Sequence, residues 1–228
     1  MTGATSGVGL ETVRSFIEKG WVAIGLARNQ DRLKDIQALL GDNFFPFTVD
    51  VSKPASVAQC FELVSRQFPT LDLLVNNAAV FKLSPFDQCS IEDIDRIIDT
   101  NLKGTLYCTY FALKLLKRGS GRIVNISSVA GIHGIKNQAI YCASKFGVDG
   151  FSEALGQELA ERGLGMTTIC PGGIDTPLWN HVENPYPGGD VTHLLKTKDI
   201  VALIDQIVAL PSNVVMKKMI TFPSNEWH

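Results

Sequence analysis

Six short runs rich in β-branched and aromatic residues alternate along this chain with six longer amphipathic stretches, and this alternation limits the fold more than any other feature. The candidate strands cover residues 21–27, 45–49, 71–75, 122–126, 166–170 and 214–222, and the candidate helices 9–19, 30–40, 55–67, 91–116, 138–162 and 199–210. A strand that leads through a helix into the next strand needs a crossover, which sets the strands parallel and lays helices over the sheet. The pattern predicts an α/β fold, a doubly wound parallel sheet with helices on both faces and open edges. At 228 residues the chain is long enough for one such domain, 1–228, with no room for a second of similar size.

Two stretches stand apart. The 91–116 segment carries Ile94, Ile97, Ile98, Leu102 and Leu106 on more than one helical face, so something must cover it. The sheet would serve, as would a second copy in a homodimer or homotetramer. Residues 178–198, with Pro185, Pro187, Gly188 and Gly189, form a long irregular excursion; its Trp179, Tyr186 and Leu194 suit an apolar lid and packing anchors equally well.

Composition narrows the partners. With 19% charged residues and a net charge of −2, the chain has no basic surplus for nucleic acid or an anionic membrane. No apolar run approaches the ~20 residues of a membrane span, and Met1 opens directly on a Gly-rich stretch rather than a leader. Cys60, Cys89, Cys108, Cys142 and Cys170 form no close pair, and His133, His181, His193 and His228 have no ligand spacing. The expectations are no disulfide framework, no metal, a cytoplasmic setting, and small-molecule partners.

The first segment, Thr2-Gly3-Ala4-Thr5-Ser6-Gly7-Val8-Gly9, runs straight into an amphipathic helix. Glycines there let backbone approach a diphosphate, to which the helix start offers free N–H groups; a plain turn capped by Thr5 or Ser6 is the alternative. Arg28 follows the next candidate strand, where an arginine pairs with a ribose 2′-phosphate and a carboxylate would repel it. It points to NADP(H), with NAD(H) open, or is a solvated charge. Asp50 and Val51 follow the strand after that: Asp50 could accept an adenine amine, or cap the helix begun by Pro54. Asn76, Asn77, Ala78 and Ala79 end the next strand with two amides and two small residues that permit close approach.

Asn125-Ile126-Ser127-Ser128 closes a later strand, and Tyr141 and Lys145 lie one helical turn apart. Four tyrosines give roughly 0.2 such pairs by chance in this composition, so the spacing alone is weak; a serine at a fixed upstream place sharpens it. Thr2-Gly3-x-x-x-Gly7-x-Gly9, Asn76-Asn77-Ala78, Asn101, Ser128, Tyr141-x-x-x-Lys145 and Pro171-Gly172 occur in the order of the short-chain dehydrogenase/reductase family, which the chain resembles over nearly its whole length.

The resemblance implies a Rossmann-like fold and an oxidoreductase of the single-domain branch that includes 3-oxoacyl-carrier-protein reductases and related ketone reductases. It implies that Tyr141 exchanges a proton with the substrate oxygen and that Ser128 holds that oxygen, leaving Ser127 structural because successive strand residues face opposite ways. Lys145 would lower the tyrosine's pKa and hold the nicotinamide ribose, while Asn101 would help hold a water beside the lysine, or serve as a helix-bending amide. Pro171, Gly172, Ile174 and Thr176 would orient the carboxamide. Carbonyl reduction with NADPH is the leading expectation. An NAD-dependent secondary-alcohol dehydrogenase and a catalytically silent cofactor-binding protein are the alternatives.

One departure stands out: the family has an apolar strand before its Thr-Gly, and here only Met1 occupies that place. Without it the flanking strands would stand two spacings apart, about 9.6 Å instead of 4.8 Å. The sequence thus predicts a start inside a longer chain or, if 228 residues are the whole, weak stability and weak cofactor binding.

Overall fold

The computed structural model describes residues 1–179 and 192–224. Helices α1 (Gly7–Glu18), α2 (Gln30–Leu40) and α3 (Pro54–Gln67) alternate with strands β1 (Ala23–Ala27), β2 (Phe44–Thr48) and β3 (Leu73–Asn76). There follow α4 (Ile91–Ile97), a π-helical turn at Ile98–Lys103, α5 (Gly104–Ala112), β4 (Arg122–Ile126), α6 (Ala139–Ala160), β5 (Gly165–Pro171), α7 (Thr197–Ala209) and β6 (Lys218–Thr221). Every strand pairing is parallel, as the alternation requires. Alternate strand residues serve two cores. On one face Ile123 packs with Val57, Phe61, Cys108 and Ala112; on the other Val124 packs with Val8, Phe16, Ile200 and Ile204.

The expected separation in the sheet is present. Among the described residues β1 forms a ladder with β2 alone, apart from an isolated bridge between Leu26 and Thr2, and β3 begins a second sheet in the order β3-β4-β5-β6. Three residues join the two at one end: Leu26 N–H donates to the Met1 carbonyl (2.9 Å), Gly3 N–H to Leu26 (2.8 Å) and Thr2 N–H to Val75 (3.0 Å). Below them lies a cavity of about 530 Å³ bordered by Ile24, Leu26, Leu73 and Val75 from the strands and by Phe16 and Phe61 from the helices. Ala23 and Ala27 bond toward β2, so by alternation Ile24 and Leu26 turn their backbone groups toward this slot. The Met1 amine reaches into it and donates to Ile24 O at 2.9 Å.

The single helix expected over 91–116 is a correction. Ser90 and Asp93 form a capping box that starts α4, but the chain widens into the π turn and α5 ends at Ala112. Beyond it Leu71 N–H bonds to Leu115 O (2.8 Å), and Leu116 bridges Leu71. Of the apolar residues in this segment Ile97 is buried, Leu102 lies against Gly147 of α6, and Ile94, Ile98 and Leu106 are partly buried, while Cys108 and Ala112 enter the core. Tyr110 remains 63% exposed.

Candidate active site

Parallel strands bring their C-terminal ends to one side, and there a cavity of about 670 Å³ opens between the Gly-rich turn and α6. Gly3, Ser6, Gly7 and Val8 wall one end, Asn77, Ala78 and Ala79 the floor, and Pro171, Gly172, Ile174 and Thr176 the opposite side. Ser128, Tyr141 and Lys145 border the same space.

The turn has the geometry of a backbone cradle. Gly3 and Gly7 have φ of +66° and +51°, where a side chain would be strained, and a Cβ on Gly9 would sit 2.1 Å from Gly3 O. Ser6 occupies the cap position of α1 without a side-chain bond, so the capped-turn alternative fails and the first amides of α1 stay available. Thr2 does not line the cavity. Its Oγ1 accepts from Asn77 N–H (2.8 Å) and Ala78 N–H (3.0 Å), tying the turn to the end of β3. Gly9 lies beneath the turn and Thr5 offers its carbonyl to Arg32 (3.3 Å).

Arg28 is exposed at the end of β1 and has no ion pair among the described residues. Asp50 takes Ser52 N–H (3.0 Å) and Ser52 Oγ–H (2.8 Å) on one carboxylate oxygen. The cap position of α3 is Lys53, with no side-chain cap bond, so the helix-cap reading of Asp50 is corrected. Val51 is buried against Gly104, whose Cβ would come within 2.9 Å of it.

At the chemical end, the Tyr141 hydroxyl shares a hydrogen bond with Ser128, and Lys145 Nζ donates to Ile126 O at 2.8 Å. Burial pushes the tyrosine up to about 12, against the Ser128 bond that pulls it down. Burial also pulls Lys145 down to about 8, opposed by Cys170 and Asp149. The expected lowering of Tyr141 by Lys145 is therefore a correction. The ammonium sits 5.6 Å from the centre of the Tyr141 ring, and desolvation outweighs it.

Ser127 also borders the cavity, but its Oγ turns to Lys145 O (3.4 Å), in keeping with the structural part expected of it. Asn101 sits in the π turn and is almost wholly buried. Its side chain accepts from Val80 N–H (2.8 Å) and donates to Val80 O (2.9 Å) and Ser144 Oγ (3.1 Å), and Ser144 in turn donates to Tyr141 O (2.7 Å). It thus ties the segment after β3 to the helix that carries Tyr141, and π turns of this kind recur at functional sites.

The sequence left several lining residues unnoticed. Phe81 stands edge-on to Tyr141 at 4.9 Å and to Trp179 at 5.2 Å, and Ile135, Gln138 and Leu178 continue the wall. Gln138 stands at the cap position of α6, three residues before Tyr141, and that closeness in sequence could have flagged it. Trp179 Nε1–H donates to Ile174 O (2.8 Å), so it is an anchor as well as a wall. Leu194 is buried, while Tyr186, His181 and His228 lie outside the described residues. Among the described residues no cluster of His, Cys, Asp or Glu could hold a metal, and no helix is long and apolar enough to cross a membrane.

Comparison with known proteins agrees with this geometry. The family described as short chain dehydrogenase matches residues 1–186. An uncharacterized oxidoreductase of Staphylococcus saprophyticus is 32% identical over 99% of this chain and 95% of its own length. A D-threitol dehydrogenase of Mycolicibacterium smegmatis is 34% identical over 92% of this chain and 82% of its own. Among solved structures, the closed form of a serine dehydrogenase complexed with NADP+ superposes with a TM-score of 0.93 at 30% identity, covering all of this chain and 95% of that one. A cradle of glycines, a Ser-Tyr-Lys cluster at the strand ends and relatives of nearly equal length lead to one conclusion: the chain belongs to the short chain dehydrogenase family and is an NAD(P)-dependent oxidoreductase.

Proposed function

We propose that this protein interconverts the carbonyl and alcohol forms of a small organic substrate with NADP(H), reduction being the leading direction. The observation that carries the reading is the buried Tyr141 hydroxyl, bonded to Ser128, on the wall of the cavity that the glycine cradle also borders.

The cradle fits a dinucleotide, since a side chain at Gly3 would come within 2.9 Å of Asn77 Nδ2 and one at Gly9 would strike Gly3 O. Gly3, Ser6, Gly7 and Val8 would take the diphosphate; Asp50 and Val51 flank the adenine side, and Ile174 and Thr176 the carboxamide. When bound, the nicotinamide supplies the hydride in reduction and takes it back in oxidation. Tyr141 then gives its proton to the carbonyl oxygen. A hydroxyl held near 12 stays protonated throughout the neutral range, so the proton is in place when a carbonyl binds, and its release calls on Ser128, whose hydrogen bond pulls that value down. Ser128 donates to the same oxygen and polarises it. Lys145 anchors below Tyr141 on Ile126 O and supplies positive charge to the site, while Asn101 positions α6 through Val80 and Ser144.

Arg28, exposed and free of ion pairs among the described residues, supports a preference for the 2′-phosphate. Of the ketone and 3-oxoacyl substrates that the sequence leaves open, the similarity to D-threitol and serine dehydrogenases favours small hydroxylated compounds, and oxidation of a secondary alcohol is the second reading. We also keep a cytoplasmic homodimer or homotetramer as a proposal, supported by exposed Tyr110 on α5 and Phe146 on α6; analytical ultracentrifugation tests the assembly.

The decisive experiment is a panel of ketones and alcohols followed by NADPH absorbance, with Tyr141→Phe alongside. Wild-type turnover with a loss of several orders of magnitude in the variant is expected. Full turnover in Tyr141→Phe removes the acid from the mechanism. Arg28→Asp is expected to reverse the ratio of NADPH to NADH efficiency.

A further inference from the structure

Beyond Tyr141 the cavity wall is apolar, formed by Phe81, Val129, Ile135, Leu178 and Trp179, except at Gln138. Gln138 is only 8% exposed. Its backbone is fully engaged: the N–H donates to Ile135 O (3.1 Å) and the carbonyl accepts from Cys142 N–H (2.8 Å), which begins α6. The side chain stands at the cap position of α6 yet makes no cap bond, and it has no hydrogen-bond partner among the described residues. The carboxamide opens onto the cavity without a protein partner in a wall that is otherwise apolar, where a leucine or methionine of similar volume would suit the neighbouring side chains better. Folding therefore does not account for glutamine here, whereas a ligand would.

The position limits what the ligand is. Gln138 stands at the cap position of the helix that carries Tyr141, and the two side chains line the same cavity, so Gln138 reaches a group next to the oxygen that Tyr141 serves. A carboxamide both donates and accepts, which matches a hydroxyl or a second carbonyl. It carries no charge to offset a carboxylate or ammonium, and the other polar side chains nearest it in the cavity serve the reacting oxygen.

We propose that Gln138 is a specificity residue that binds a second neutral oxygen on the carbon beside the reacting one, so that the site selects α-hydroxyketones and vicinal diols over monofunctional ketones and alcohols. The inference rests on the carbonyl–alcohol reading of the Tyr141 site. A pocket built to bond a hydroxyl rejects the analogue that lacks it far more strongly than an apolar pocket distinguishes one methylene.

The test compares 3-hydroxybutan-2-one with butan-2-one, both reduced with NADPH, by the wild type and by Gln138→Leu and Gln138→Met. The wild type is expected to favour the hydroxyketone by on the order of a hundredfold or more in kcat/KM. Both variants should lose at least tenfold of that ratio, chiefly through a higher KM for the hydroxyketone, while butan-2-one kinetics and NADPH affinity hold. Because the ratio is compared between proteins, the greater intrinsic reactivity of the hydroxyketone cancels. Calorimetric titration of butane-2,3-diol into the NADP+-loaded proteins gives a readout apart from turnover, and binding should weaken in both variants. A wild-type preference for butan-2-one, or an unchanged ratio in a variant that still binds NADPH, overturns the assignment of Gln138 and leaves the oxidoreductase reading intact. Failure of the wild type on both compounds and on every ketone and alcohol of the wider panel overturns the function reading and this inference together.

Discussion

A free amine at Met1 should make the stability of the 228-residue chain depend on pH in a window where little else titrates. The amine points into the slot between β1 and β3, bonds Ile24 O at 2.9 Å, and is pulled by burial from 8.0 to about 6. Between those values the unfolded chain holds the proton more firmly than the folded one, so the amine's contribution to folding stability rises as pH goes from 6 to 8 and is flat above. Two pH units correspond to roughly 3 kcal/mol, an upper limit because part of Met1 reaches solvent. For a domain of this length, that is about 6–12 °C in Tm. The comparison is urea unfolding at pH 5.5, 7.0 and 8.5 of the free-amine protein and its Nα-acetylated form. Acetylation removes the charge and keeps the N–H for Ile24. It also brings a carbonyl to the place where a parallel ladder needs an acceptor for Val75 N–H, because Val75 O already takes Thr2 N–H. The acetylated protein should be the more stable one at pH 5.5 and show no rise between pH 6 and 8. Equal pH dependence in the two forms, or falling stability of the free-amine form over that range, would refute the reasoning.

Three further outcomes follow from named contacts. Appending five β-branched residues before Met1 should raise the urea midpoint, since Ile24, Leu73 and Val75 border the slot as strand edges; an unchanged midpoint would mean that the 530 Å³ cavity does not accept a strand. Within α6, Gly150→Ala meets nothing within 4 Å and should stabilise by about 0.5–1 kcal/mol, whereas Gly147→Ala meets Leu102 Cδ2 at 2.8 Å and should lose most or all of that gain, as read by chemical denaturation. For catalysis, the reduction rate should fall as pH rises through about 8, where Lys145 loses its proton while Tyr141, near 12, keeps its own. In Lys145→Arg the charge persists and the fall should disappear from whatever activity remains, and a wild-type profile flat to pH 10 would show that the lysine's charge is dispensable.

What the sequence made legible was local. The 30–40 helix is found at Gln30–Leu40, because Asn29 caps it by accepting Arg32 N–H and Gly41 ends it at φ +77°. The 122–126 strand is likewise found at Arg122–Ile126, where β-branched residues face two cores at once. The 91–116 segment was misread because its break lies in no local signal: the π turn is held by Asn101 bonding Val80, twenty-one residues back. Periodicity registers the apolar faces of such a segment, but a single widened turn leaves those faces apolar. The β-rich 214–222 stretch shrank to Lys218–Thr221 for a related reason, since Arg122 draws the carbonyls of Leu210, Pro211 and Val214 into its own hydrogen bonds ahead of the strand.

The site divides along the same line. Spacing identified Tyr141 and Lys145 as a pair, and the structure brings both to the cavity with Ser128, yet spacing carries no information about dielectric. The pair was expected to act by the lysine drawing the tyrosine's pKa down. Burial drives the two groups apart instead, Tyr141 up from 10.0 to about 12 and Lys145 down from 10.5 to about 8. The ammonium, 5.6 Å from the ring centre, does not reverse that: desolvation is the largest influence on the tyrosine. The group that does act on the hydroxyl is Ser128, thirteen residues upstream, on the segment that follows β4. In the protein alone the tyrosine thus keeps its proton through the neutral range, and because reduction ends on the phenolate from which oxidation starts, the loaded site must stabilise that phenolate in either direction.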